Sequence, residues 1–211
     1  MTDLYERSFR DILALAGSTA PTPGGGSIAA MAAALGTSML QMVARLTLAR
    51  KKYQDVAAQV TEVLTRSEAL QSQFEALLSA DMEAFDAVMA ALRLPAETQE
   101  QQMIRQAKQR NATEQATRVP LSLAQACCEG LELALQLAPI GNQRAISDVG
   151  VGAQLLGAAA ASALLSVDIN LPALGESPFA REAAAQRDRL RQQAADHVSQ
   201  CMEKVSSRLA E

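Results

Sequence analysis

The sequence predicts an all-α protein, a single-domain bundle of about seven helices, two of them long. Apolar residues recur every three or four positions through most of the 211 residues, which is the period of an amphipathic helix. No run alternates as a half-buried strand does. Hydrophobic residues make up 49% of the chain and aromatic residues only 3%, so the core rests on Leu, Val, Met and Ala, which suit close helix packing.

Three helices are predicted in the first half of the chain. The first covers residues 4–17, and the second covers residues 27–47 with Ser27 as its N-cap. The third is the clearest, because its apolar positions keep the helical spacing from Val56 to Leu92, and it stops before Pro95. It is the first of the long helices.

Four more helices are predicted in the second half. A fourth covers residues 97–117, and Pro120 starts a fifth that ends near residue 139. A sixth covers residues 147–167 and is broken at residues 170–172. Ser177 as N-cap and Pro178 at the first helical position open the last helix. No repeat or linker divides the chain, so residues 1–211 are predicted to form one domain.

The charge distribution favours an anionic ligand over nucleic acid. The net charge of −4 gives no reason to expect nucleic-acid binding. Residues 12–54 nevertheless contain no acid, while Arg45, Arg50, Lys51 and Lys52 all lie there. A local charge of +4 fits an anion. A solvated helix terminus is the alternative interpretation of the run from Arg50 to Lys52.

Cysteine, histidine and hydropathy patterns predict a cytoplasmic protein without a metal or a membrane span. The three cysteines lack C-x-x-C spacing, which indicates reduced thiols. His197 is the only histidine and cannot supply a multi-histidine metal site. No secretory signal opens the chain, and the uncharged residues 149–167, rich in Ala and Gly, favour a buried helix.

A triple-glycine loop precedes the second predicted helix and is the first candidate for ligand binding. Pro23 leads into Gly24, Gly25 and Gly26, whose backbone a ligand can approach closely, and free N–H groups at the helix start favour an anion or an electronegative ring edge. The loop formally matches G-x-G-x-x-G/A, but no strand precedes it and no acidic residue follows at the required distance, so a dinucleotide site is excluded. A plain turn at the start of the helix is the alternative.

Asp81 is the most specific single candidate for a functional residue. Phe74, Leu78 and Phe85 lie at helical spacing from it, which puts its carboxylate on the apolar face of the third helix. An unpartnered carboxylate there is costly, so the residue needs either a helix-to-helix hydrogen bond or ion pair, or a functional task. Glu83 falls off that face and is predicted to be solvated, as is Asp86.

Asp148 and Asn142, taken by themselves, do not indicate a particular function. Asp148 in the first turn of a helix is an ordinary partner for the helix dipole. Asn142 after Gly141 is typical of a turn.

Taken in order, several short motifs resemble the cyclodeaminase/cyclohydrolase family of folate one-carbon enzymes, and the resemblance covers nearly the whole chain. They are Ala20-Pro21-Thr22-Pro23-Gly24-Gly25-Gly26-Ser27, Met42-Val43-Ala44-Arg45-Leu46-Thr47, Arg50-Lys51-Lys52-Tyr53, Asp81-Met82-Glu83-Ala84-Phe85, Leu94-Pro95, Val119-Pro120-Leu121, Gly141-Asn142, Ser147-Asp148 and Asn170.

The resemblance implies a helical protomer that dimerises through helix faces, with a folate, possibly polyglutamylated, in a crevice and no cofactor beyond it. Asp81 is then the first choice for a catalytic carboxylate and Asp148 the second, one of which holds the pterin ring. The predicted substrate contacts are Pro23, Gly24, Gly25, Gly26, Ser27, Asn142 and Ser147, with Arg45, Arg50, Lys51 and Lys52 for the anionic tail.

The activity implied first is hydrolysis of 5,10-methenyltetrahydrofolate to 10-formyltetrahydrofolate. The sequence of the glycine loop and the lack of a formiminotransferase domain look more like a stand-alone cyclohydrolase. Two alternatives stay open. One is formiminotetrahydrofolate cyclodeaminase, which closes the ring and releases ammonia, and the other is a folate-binding helical module without catalysis.

Overall fold

A computed structural model describes residues 4–210 of the chain and shows six α-helices with no strand among those residues. The helices are α1 (Phe9–Ala16), α2 (Gly25–Leu48), α3 (Ala57–Leu92), α4 (Gln99–Leu137), α5 (Ile146–Leu174) and α6 (Pro178–Leu209), with short 3-10 helices at Leu4–Glu6, Lys51–Val56 and Gln143–Ala145. The all-α prediction is confirmed. Five helices rather than two have 24 residues or more, and α4 and α5 are longer than predicted because two predicted breaks do not occur.

Helices α2 and α5 form the centre of the bundle. Helix α2 packs on α3 and α5, α4 packs on α3 and α5, and α6 covers α4 and α5. Where α2 meets α5 the backbones touch: a Cβ on Gly36 would lie 2.9 Å from the carbonyl oxygen of Gly152, and one on Gly152 would lie 2.8 Å from that of Gly36. Only glycine permits this approach. The two helices run antiparallel.

The predicted break at Pro120 is wrong, and the fourth and fifth predicted helices are one helix, α4. Proline has no N–H, so the carbonyl of Ala116, one turn earlier, loses its helical donor. The side chain of Asn170 on α5 replaces that donor, with its Nδ2 donating to the Ala116 oxygen at 2.9 Å. The helix continues because a neighbouring helix satisfies the freed carbonyl.

The predicted break at residues 170–172 is also wrong. Helix α5 continues through Pro172 and ends at Gly175, whose φ of +58° suits glycine. Asp168 ties these last turns to α6, because its two carboxylate oxygens accept from Arg187 at 2.8 Å and Arg191 at 2.7 Å. Tertiary contacts hold the end of the helix.

Two segments, Gly25–Leu48 and Gln143–Leu174, are long and apolar enough to cross a membrane by length and composition alone. They contain the central pair α2 and α5, and 61% and 50% of their most apolar windows are buried inside the bundle. The remaining apolar surface includes Leu35, Leu165 and Ile169, which are 52%, 66% and 78% exposed.

Candidate functional site

The Asp81 carboxylate on α3 lies directly over the first turn of α2. Its Oδ2 accepts a hydrogen bond of 2.7 Å from the hydroxyl of Ser27. A Cβ built on Gly26 would lie 2.2 Å from Asp81 Oδ1, so the carboxylate occupies the space that any side chain at position 26 would need. Asp81 is half-buried and Ser27 fully buried. The helix-to-helix hydrogen bond, one of the two alternatives that the sequence left open for Asp81, is therefore present.

Helix α2 begins two residues earlier than predicted. Gly24, in extended conformation, is its N-cap and Gly25 its first residue. The prediction of Ser27 as N-cap is wrong, because three glycines extend the first turn and leave the Ser27 hydroxyl to reach α3. The first N–H groups of a helix have no acceptor within it and carry partial positive charge. A carboxylate beside them is well placed electrostatically.

An open groove of about 470 Å³ begins beside this turn and runs between α2 and α5. Its walls are mostly small and apolar, with two hydroxyl groups from Ser162 and Ser166. The lining residues are Gly25, Ile28, Ala29, Ala32, Ala158, Ala159, Ser162, Leu165, Ser166 and Ile169. A flat ring system fits such walls, which place few side chains in its way.

Asn142 lies at the other end of α2 and is buried. Its backbone N–H donates to Thr47 Oγ1 at 2.8 Å, and its Nδ2 donates to the carbonyl of Leu46 at 3.1 Å. Its Oδ1 accepts from the N–H of Arg144 at 3.1 Å. The side chain is thus already engaged in joining the C-terminus of α2 to the start of α5.

Sequence reasoning missed three residues that complete this turn. Tyr53 Oη accepts from the N–H of Gln143 at 2.9 Å. The guanidinium of Arg208, at the end of α6, donates to Gln143 Oε1 at 2.9 Å and to the carbonyl of Gly141 at 3.3 Å. The position of Tyr53 directly after the basic run was the one available signal.

The pKa of the Tyr53 phenol is lowered by its surroundings. Burial raises its pKa, but the hydrogen bond from Gln143 and the positive charges of Lys52 and Arg208 outweigh burial and leave the pKa below 10.0. The Lys52 ammonium lies 4.6 Å from the centre of the Tyr53 ring, within cation–π range.

The predicted cations are also found at this end of α2. Arg50, Lys51 and Lys52 are exposed in and just before the 3-10 helix that follows α2. Arg45 pairs with Glu68 at 2.7 Å, which neutralises part of its charge. In the first turn of α5, Ser147 is exposed and Asp148 half-buried.

The predicted site residues therefore form two groups at opposite ends of α2. At its N-terminus the structure brings together Asp81, Gly26 and Ser27, with the buried Pro23 leading into the turn. Helix α2 has 24 residues and is about 36 Å long. The groups at its C-terminus, with Asn142 and the basic run, lie too far from Asp81 to touch the same ring in one chain.

Thiol and metal chemistry find no support in residues 4–210. No group of three or more His, Cys, Asp or Glu side chains within that range is arranged to hold a metal ion. The three cysteines are buried and unpaired. Burial raises the pKa of Cys128 to about 11 and that of Cys201 to about 11, and it raises the pKa of Cys127 further, so these thiols are poor nucleophiles.

Comparison with known proteins gives matches over nearly the full chain. A family model described as formiminotransferase-cyclodeaminase matches residues 8–189. A methenyltetrahydrofolate cyclohydrolase from Methylorubrum extorquens is 39% identical over 192 residues, which are 91% of this chain and 92% of that protein.

Two further matches are more distant. Formimidoyltransferase-cyclodeaminase from Rattus norvegicus is 31% identical over 176 residues, 83% of this chain but 32% of that longer protein. The crystal structure of a formiminotetrahydrofolate cyclodeaminase from Thermotoga maritima superposes with a TM-score of 0.87 at 23% identity, covering 96% of this chain and 98% of that one, which shows a shared fold.

Proposed function

We propose that this chain, which belongs to the formiminotransferase-cyclodeaminase family, is a folate one-carbon enzyme that hydrolyses 5,10-methenyltetrahydrofolate to 10-formyltetrahydrofolate. The observation that carries the proposal is the Asp81 carboxylate on α3, which lies over the first turn of α2, the turn at which an open groove of small residues begins. The match of a cyclohydrolase along nearly the full length of both chains favours hydrolysis over deamination.

The reaction suits a site with a carboxylate and no redox group. The substrate carries a delocalised cation between N5 and N10, and its bridging carbon is already electrophilic. Water adds to that carbon and gives up one proton, forming a neutral tetrahedral intermediate. The bond from carbon to N5 then breaks, the remaining hydroxyl proton is in effect transferred to N5, and the formyl group stays on N10. One proton is released overall.

Asp81 supplies two of the effects that this reaction needs. Its negative charge stabilises the bound cation, and an oxygen of the carboxylate accepts the proton from the attacking water. The groove between α2 and α5 receives the flat ring system, with the backbone of Gly25 against its edge. Asp148 is the second carboxylate of the proposal, in the role of holding the amino group and ring N–H of the pterin. Because it lies at the far end of α2 from Asp81, it must come from a second copy of the chain.

A second copy of the chain accounts for the distance between the two groups of residues. The span of about 36 Å along α2 exceeds the length of a folate with one glutamate. Residues 12–44 on α1 and α2 and residues 149–167 on α5 carry no charge, and Leu35, Leu165 and Ile169 expose apolar surface there. We propose that two protomers pair through this face about a twofold axis perpendicular to α2. The basic end of one protomer then meets the Asp81 end of the other.

Substrate assays test the reaction. Methenyltetrahydrofolate absorbs in the near ultraviolet and its hydrolysis product does not, so loss of absorbance above the spontaneous rate reports hydrolysis. We expect turnover of this compound and no ammonia from formiminotetrahydrofolate. Rapid ammonia release would establish the cyclodeaminase instead, and binding without either reaction would establish a folate-binding module.

Mixed dimers test the composite site. Asp81→Asn removes the carboxylate, and the double variant Lys51→Ala/Lys52→Ala removes two tail cations. If each site takes its carboxylate from one protomer and its cations from the other, every mixed dimer carries one intact site. Random exchange of equal amounts makes about half of the dimers mixed, so about a quarter of all sites recover. The rate is measured at a substrate concentration below KM. A rate that rises on mixing supports the composite site, and a rate that stays low although the subunits exchange contradicts it.

The cytoplasmic location and the lack of a cofactor remain part of the proposal. The buried thiols are consistent with a reducing compartment. Because the bridging carbon is activated by its own positive charge, hydrolysis needs no metal or redox group. Full activity after exhaustive dialysis against a chelator is the expected result.

A further inference from the structure

We infer that Ser27 is a positioning residue for Asp81 rather than a contact for the substrate. The inference rests on the proposed function, because it concerns the carboxylate that the proposed reaction uses. It reverses the role that the glycine-loop motif suggests for this serine, which was expected to face the ligand with the glycines before it.

The burial of Ser27 separates it from any ligand. Its residue exposure is 0%, whereas Gly25, two positions earlier on the same turn, is exposed and lines the groove. A side chain with no accessible surface cannot touch a substrate unless the helix start rearranges. The hydroxyl group therefore acts within the protein.

The hydrogen bond of Ser27 connects two helices at the reacting group. A serine within a helix commonly donates to a carbonyl one turn earlier in the same helix. Ser38 does this on α2, donating to the Ala34 oxygen at 2.9 Å. Ser27 instead donates its one hydroxyl proton to Asp81 Oδ2 at 2.7 Å, on the neighbouring helix α3.

The geometry fixes how the carboxylate is turned. One oxygen is held by Ser27, and the backbone at Gly26 lies against the group from below, so little rotation about the Cβ–Cγ bond is left to it. Oδ1 makes no hydrogen bond to a side chain within residues 4–210 and is free to accept a proton from water. Without the Ser27 hydroxyl, the carboxylate could rotate about the Cβ–Cγ bond, and Oδ1 would no longer be oriented to accept the proton from water.

Steady-state kinetics with methenyltetrahydrofolate separates positioning from substrate contact. For Ser27→Ala we expect kcat to fall about 10- to 100-fold, the effect of one hydrogen bond to a charged group, with KM changed less than about threefold. Ser27→Thr keeps a hydroxyl and should recover most of kcat. Thr61→Ala, which removes an exposed hydroxyl that donates to the Ala57 carbonyl within α3, is the matched control and should behave as the wild type.

A double-variant cycle supplies a readout that a purely structural role would not move. In an Asp81→Asn background, Ser27→Ala should lower the residual rate by less than about twofold, because the group that it positions is gone. An equal loss in both backgrounds would overturn the inference, and so would a raised KM with kcat retained. Thermal unfolding of each variant confirms that the comparison is made on folded protein.

The result distinguishes this inference from the proposed function. If the wild type does not hydrolyse methenyltetrahydrofolate, the proposed function fails and the inference falls with it. If the wild type turns over and Ser27→Ala matches it in kcat and KM, only the inference fails. If Ser27→Thr does not fold, the cycle with Asp81→Asn decides alone.

Discussion

Gly26→Ala tests the contact between α2 and the Asp81 carboxylate. The added methyl group would lie 2.2 Å from Asp81 Oδ1, and ordinary contact begins near 3.4 Å, so the carboxylate must move by about 1.2 Å. A displacement of this size at a reacting group lowers the rate about 100-fold. Alanine is favoured over glycine within a helix by about 0.5–1 kcal/mol, which offsets part of the strain, so we expect the variant to fold.

The assay is the decay of methenyltetrahydrofolate absorbance, paired with thermal unfolding. Gly17→Ala is the matched control, because its added Cβ meets only the Leu13 carbonyl oxygen, at an ordinary contact distance of 3.4 Å, and no atom of Asp81 lies within 4 Å of it. We expect wild-type rates from this control. A folded Gly26→Ala protein with a rate within threefold of the wild type would refute the reasoning.

Three further predictions concern other parts of the molecule. Asn170→Ala leaves the Ala116 carbonyl without its donor and should lower the free energy of unfolding in urea by about 1–3 kcal/mol. The loss should be smaller in a Pro120→Ala background, because alanine restores the backbone N–H at position 120. Equal losses in the two backgrounds would contradict this account of α4. Tyr53 should ionise below pH 10 in a tyrosinate absorbance titration, and that ionisation step should be absent in Tyr53→Phe. Between the lowered folded pKa and the unfolded value of 10.0 the unfolded chain still holds the proton, so the contribution of Tyr53 to the free energy of unfolding increases as pH rises. None of the three buried thiols should react with an aromatic disulfide reagent at pH 8 until the protein is unfolded, and fast labelling of the native protein would show that Cys128 or Cys201 is open to solvent.

The helices could be predicted from apolar periodicity, but two of their ends could not. Local rules assign a break to Pro120 and another to Pro172. In the bundle, Asn170 supplies a donor to the carbonyl that Pro120 frees, and Asp168 anchors the last turns of α5 to α6. Asn170 lies on a different helix from Pro120, and the arginines that bind Asp168 lie on α6, so local patterns could not reveal either interaction.

The need of Asp81 for a partner or a task could be anticipated, because its carboxylate lies on an apolar face. Its particular partner, Ser27, could not, since the predicted N-cap role had already assigned that hydroxyl. The separation of the two groups of site residues could also be predicted from the sequence. A single predicted helix over residues 27–47 already implies about 30 Å between its ends.

The turn at residues 141–145 shows why motif order does not reveal a residue's task. Asn142 belongs to a motif of the family, yet its side chain binds the carbonyl of Leu46 and the N–H of Arg144. Its part in the proposed site is to hold the basic end of α2 against the start of α5, where Asp148 lies. Hydrogen bonds over more than 90 residues of sequence are invisible in a single chain's pattern.

Hydrolysis of methenyltetrahydrofolate by Asp81→Asn tests the central claim most directly. Removing a general base lowers rates by about 100- to 10,000-fold, so we predict a loss of at least 100-fold in a folded protein, while Asp86→Asn, an exposed position on the same helix, keeps the wild-type rate. Wild-type turnover by folded Asp81→Asn would contradict the account.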